Sequence, residues 1–134
     1  MVWQSHERNE WDVAIHQSLG AAAVPSEGSD PFSLADPPTV TEILQAAGFA
    51  DVAFTDVREP LYYGPDVATA LDWVRGFACT NRALERLDPA AEARAIERLR
   101  AALAAHMGDA GVWFDSRAWI VTARRAERAI PPVR

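Results

Sequence analysis

Apolar positions along the chain switch between helical and strand periods, and the switches mark the elements. Met1–Gln4 reads as the end of a buried strand and gives way at once to the polar stretch Ser5–Glu10. Trp11, Ile15 and Leu19 then recur at helical spacing, which predicts a short amphipathic helix ending near Gly20. Residues 24–35, rich in proline, glycine and serine, read as a loop.

The next segment carries the clearest local signals. Asp36 suits a helix cap and Pro37 a first turn, while Val40, Ile43, Leu44 and Ala47 form one apolar stripe. Gly48 stops that helix as a left-handed residue, and Phe49 can fold back onto the last turn. Val52, Phe54 and Val57 mark a strand over 51–59, which Pro60 is expected to end. A second helix over 66–79 places Val67, Leu71, Val74 and Ala78 on one face and Ala70, Trp73 and Phe77 on the next, an arc wide enough to need cover on two sides. A third helix starts at Asp88–Pro89, turns Ile96, Leu99, Leu103 and Met107 inward and ends at Gly108; Val112–Ala123 reads as a long strand. The polar, proline-containing tail 127–134 is expected to fray, leaving 1–126 as the folded part. Three strands alternating with helices make an α/β pattern in one domain.

Composition narrows the functional classes. A net charge of −6 speaks against a phosphate-binding footprint, so no nucleic-acid partner is expected. All 13 basic residues are arginine and 26 residues are alanine, a bias read as genomic base composition; the absence of lysine excludes Schiff-base chemistry and a P-loop lysine. Cys79 is alone, so neither an internal disulfide nor a cysteine zinc site can form. No apolar run reaches membrane-spanning length and the N-terminus lacks a signal-peptide pattern, which makes the cytosol the default compartment.

Glycines at Gly20, Gly28, Gly48, Gly64, Gly76, Gly108 and Gly111 never form a G-x-G pair, which removes the dinucleotide fingerprint and the P-loop. A G-x-S-x-G elbow is missing too. His6 with Glu10, and Asp12 with His16, stand four residues apart; chance produces such pairs on polar helix faces, so they read as solvated side chains and no metal is assigned. Trp3, Trp11, Phe32, Tyr62, Tyr63 and Trp73 either line an apolar pocket or pack in the core, with Trp73 assigned to packing. Asp115 and Arg117 either pair with each other's neighbours or face water, and are assigned to water.

The run Thr41–Phe54 (TEILQAAGFADVAF) resembles the segment of class I S-adenosylmethionine-dependent methyltransferases that joins the helix after strand five to strand six. Val2-Trp3-Gln4 followed by Asn9-Glu10-Trp11, the loop Asp30–Pro37 and the closing Trp113–Ala123 are similar to a small-molecule group of that family. The resemblance spans Val2 to about Arg125. It implies the C-terminal half of a Rossmann-like methyltransferase sheet, with strands equivalent to five, six and seven in the order 5-7-6 and strand seven antiparallel.

The family's cofactor-binding strands, with their glycine-rich turn and ribose-binding acid, have no counterpart in these residues. S-adenosylmethionine is thus implied as the cofactor of a completed enzyme and not as a ligand of this chain alone. Met1–Gln4 would keep an edge open for strand four, as in a truncated, split or mis-started gene product. On the substrate side the resemblance points to Trp3, Asn9, Trp11, Phe32 and Tyr63, with His6 or Glu7 as a base for a hydroxyl acceptor. The expected function is a methyltransferase-related protein inactive alone; the alternative is a non-catalytic binding or dimerisation module. Its implied partners are a separately encoded N-terminal half or a second copy, and a small apolar or aromatic acceptor.

Overall fold

A computed structural model describes residues 1–23 and 30–126. The expected loop falls partly, and the expected frayed tail wholly, outside the described residues. Strand β1 (Val2–Trp3) leads through a single 3-10 turn (His6–Arg8) into helix α1 (Glu10–Leu19) and a further turn at Gly20–Ala22. Helix α2 (Pro37–Ala46) and the long strand β2 (Phe49–Gly64) follow. Helices α3 (Val67–Arg75), α4 (Ala78–Glu85) and α5 (Pro89–Ala105) precede the short β3 (Met107–Gly108) and the long β4 (Gly111–Arg125). β2 and β4 form an antiparallel ribbon, with Phe49 opposite Arg125 at one end and Gly64 opposite Val112 at the other. β1 and β3 pair with β4 as well, both antiparallel, in the order β1-β4-β2. The architecture is mixed α/β with an antiparallel sheet.

Strand alternation decides where the core sits. Val112, Phe114, Ser116 and Ala118 turn to one face of β4 and are buried there. Ile15 and Leu19 of α1, Leu71 and Val74 of α3, and Leu99 and Leu103 of α5 pack with Val112, Phe114 and Tyr63 in one cluster. Each of three helices starts at an aspartate: Asp36, Asp66 and Asp88 accept from the backbone N–H of Thr39 (3.1 Å), Thr69 (2.8 Å) and Ala91 (2.8 Å). The Thr39 hydroxyl and backbone N–H hold the Asp36 carboxyl below the usual carboxylate range. The Thr69 backbone N–H does most to lower that of Asp66.

Several elements differ from the sequence expectation for identifiable reasons. β2 runs through Pro60 to Gly64 because it is an edge strand, where a missing N–H costs no ladder bond. The expected helix 66–79 breaks at Gly76: Phe77 is extended (φ −68°, ψ 132°) and starts α4. Trp73 lies on the outer side of α3 and is 60% exposed, so it does not pack in the core. In the α2 stripe only Val40 is buried, and Ile43 is 51% exposed. Met107 leaves the helix to join β3 and is exposed. Gly111 begins β4 at φ +100°, where a Cβ would lie 2.5 Å from the Gly64 carbonyl oxygen, so only glycine fits. Asp115 and Arg117 do not simply face water; they pair across the ribbon with Arg58 and Asp56. No helix among the described residues is long and apolar enough to cross a membrane.

Candidate functional site

The corner where β1 passes the chain to α1 concentrates buried polar groups. Asn9 is completely buried and acts as a bracket. Its Nδ2 donates to the carbonyls of Gln4 (3.1 Å) and Ser5 (3.2 Å), while its Oδ1 accepts from the Arg117 backbone N–H (2.9 Å) and the Trp11 indole (3.2 Å). Gln4, also buried, donates to Asp56 Oδ1 (2.6 Å) and the Ala118 carbonyl (3.0 Å) and accepts from Arg8 (2.9 Å). The Gln4 bond is the largest influence lowering the Asp56 carboxyl pKa, with Arg117 assisting. These bonds fix the first turn of α1 against β1 and β4 at a set angle.

Held in that turn, Asp12 is 4% exposed. His6, in the preceding 3-10 turn, contacts the Asp12 carboxylate through Nδ1. His16, one helical turn after Asp12, brings its Nδ1 to 3.3 Å from the same carboxylate and 3.1 Å from the Asp12 carbonyl. The two imidazoles stand edge to face with centroids 5.0 Å apart. One ligating atom from each of His6, Asp12 and His16 lies within 4.8 Å of the others. The sequence pairs are thus re-sorted. Glu10 pairs with His106, just after α5, instead of His6, and the expectation of solvated side chains fails for Asp12, which the fold buries.

This group opens onto a cavity of about 610 Å³ lined by His6, Trp11, Asp12 and His16 on one side and Asp30, Pro31, Phe32, Phe77 and Cys79 among the rest. Phe32 faces both His6 and Trp11 at centroid distances of 6.0 Å, and Trp11 leans on Trp3 at 5.6 Å. Among the described residues no arginine lines the cavity, although arginine supplies every formal positive side-chain charge in the chain.

The substrate-side and base candidates from the sequence fall into four groups. His6, Trp11 and Phe32 line the cavity together. Trp3 supports Trp11 from behind and lines a separate depression of about 400 Å³. Asn9 and Tyr63 belong to the scaffold: Tyr63 is buried against Phe114 (5.0 Å) and Phe77 (6.3 Å). Burial, and secondarily the Asp12 carboxylate, raise the Tyr63 phenol pKa. Glu7 is on the exposed outside of the 3-10 turn, where hydrogen bonds from its own backbone and from Ser5 lower its pKa. Asp12, His16, Phe77 and Cys79 were not singled out from sequence as lining a pocket. Gly76, immediately before Phe77, was the available signal that a helix break would swing Phe77 and Cys79 toward another element.

Comparisons with protein-family models, with curated proteins and with solved structures give no match.

Proposed function

We propose that the chain is the acceptor-binding half of a small-molecule S-adenosylmethionine-dependent methyltransferase and is inactive alone. The observation that carries this reading is the aromatic-walled cavity beside the exit of β1. Its volume of about 610 Å³ is in the range of small-molecule sites, and Trp11 and Phe32 offer flat apolar walls to an aromatic acceptor. Further support comes from the strand order β1-β4-β2 with β4 antiparallel to both neighbours. The sequence resemblance implies that same arrangement for the last three strands of the family. The outer edge of β1 pairs with no strand among the described residues, which leaves room for a complementing strand.

The residues present do not fit the cofactor. No buried side-chain polar atom among the described residues lacks a partner, and the amides of Gln4 and Asn9 at the end of β1 are already engaged. The chain contributes no glycine-rich turn through which a backbone could approach the cofactor. Binding and orienting the acceptor is the task left to these residues. Activating an acceptor hydroxyl falls to the His6–Asp12–His16 group, because Glu7 does not line the cavity.

Calorimetry tests both parts. Titration of the folded chain with S-adenosylmethionine is expected to give no heat. Titration with an aromatic alcohol such as 2-naphthol is expected to saturate, and Phe32→Ala to abolish that saturation. Saturable cofactor binding by this chain alone would overturn the half-enzyme reading; absence of naphthol binding would remove the acceptor site. The non-catalytic dimerisation module has its own support in the exposed Ile43 and Ile120. A stable dimer in sedimentation, with neither ligand bound, would favour it.

A further inference from the structure

We infer that His6, Asp12 and His16 bind one divalent first-row transition metal ion at the wall of the cavity. Four observations converge on this. First, two imidazole nitrogens and one carboxylate oxygen gather within 4.8 Å of one another from two adjacent elements, the 3-10 turn and α1. A ligand set of two histidines and one carboxylate suits Zn²⁺, Co²⁺, Fe²⁺ and their neighbours, whereas Mg²⁺ and Ca²⁺ prefer an all-oxygen shell.

Second, the Asp12 carboxylate is buried, and its only charge partners among the described residues are these two histidines. A buried carboxylate needs a counter-charge, and a dication held between the carboxylate and the two imidazoles supplies one. Third, among the described residues the cavity that opens on the group carries Asp12 and Asp30 but no arginine, a charge balance that favours a cation. Fourth, both imidazoles keep 39% of their side-chain surface exposed, leaving a path for an ion to enter and positions for a further ligand.

Three protein donors leave room for a further ligand on the ion, and Trp11 and Phe32 line the same cavity, the Phe32 ring 6.0 Å from that of His6. The ligand class that completes the shell is therefore a small aromatic molecule with an oxygen donor. A bound oxygen would lose its proton more readily on the ion than in water. The metal site stands independently of the methyltransferase reading, since it needs neither cofactor nor missing half.

The test uses the tag-free full chain, stripped with chelator and titrated with Co²⁺ alone. Visible absorption bands are expected to grow and saturate at one equivalent, and Zn²⁺ is expected to displace them. His16→Gln and His6→Gln should each weaken binding at least tenfold, roughly the loss that even indirect metal partners produce. Asp12→Asn should abolish it. Circular dichroism of each variant checks that the fold is kept, and the half-exposed His16 makes His16→Gln the decisive substitution if Asp12→Asn does not fold. No cobalt spectrum at millimolar metal in the folded wild type would overturn the inference. So would uptake that both histidine substitutions leave unchanged.

Discussion

The two halves of the β2–β4 ribbon are built from one continuous pair of strands yet are packed in opposite ways. From Gly111 to Ala118 the ribbon turns alternate side chains onto α1, α3 and α5 and forms a closed core. Beyond Ala118 the same face is open: Ile120, next in the alternation, is 43% exposed. There the cover lies on the other side, where Phe54 meets Trp119 (6.0 Å) and the Trp119 indole donates to the Ala35 carbonyl (3.0 Å) just before α2. Strand pairing is therefore common to both halves, and what separates them is which helices reach them. The closed half supplies stability and also holds the rigid floor on which Asn9 and Asp12 are set.

Substitutions can break that contrast or make it sharper. Leu99→Ala, at a side chain 1% exposed in the closed half, is expected to cost about 2–5 kcal/mol in urea unfolding. A cost below 1 kcal/mol would mean the core is not closed there. Asn9→Ala is expected to come next, at about 1–3 kcal/mol, chiefly because it leaves the Arg117 N–H without its acceptor. On the open face, Ile120→Thr should cost no more than about 0.5 kcal/mol in urea unfolding of the isolated chain. A large loss would show that a second copy or partner already covers that face.

The smallest expected effect is electrostatic. Asp36 and Asp66 have carboxyl pKa values lowered in the folded state by their helix-capping bonds. A lowered folded pKa adds stability that is complete above the unfolded value, near pH 4, and is lost as pH falls through the folded value. Asp36→Asn should flatten part of the stability decline between about pH 5 and pH 2, as read from urea midpoints across that range. An unchanged slope would show that the Asp36 cap is not formed in solution.

Local signals were legible wherever a few neighbouring residues decide the outcome. The caps at Asp36 and Asp88, the stop at Gly48 (φ +86°) and the apolar periods of α1 and β4 all follow from nearest-neighbour chemistry. Pro60 misled because proline ends a central strand but not an edge strand, and edge position is a property of the sheet. Trp73 misled because an apolar arc shows that a helix can be covered without showing what is there to cover it.

The site divides along the same line. His6, Trp11 and Phe32 stood out as residue types, but their meeting depended on a bracket that Asn9 makes to Arg117 across 108 positions of sequence. Asp12 and His16 were visible as a pair one helical turn apart. That His6 joins Asp12 and not Glu10, and that the carboxylate is buried, follow from how the 3-10 turn folds over α1. Composition, helix caps, strand periods and the absence of a glycine-rich motif were settled by the order of residues, because they act over a few bonds. Edge and centre of the sheet, cover and exposure, and the three-residue cluster at the cavity were decided by packing, because they depend on surfaces brought together from distant parts of the chain.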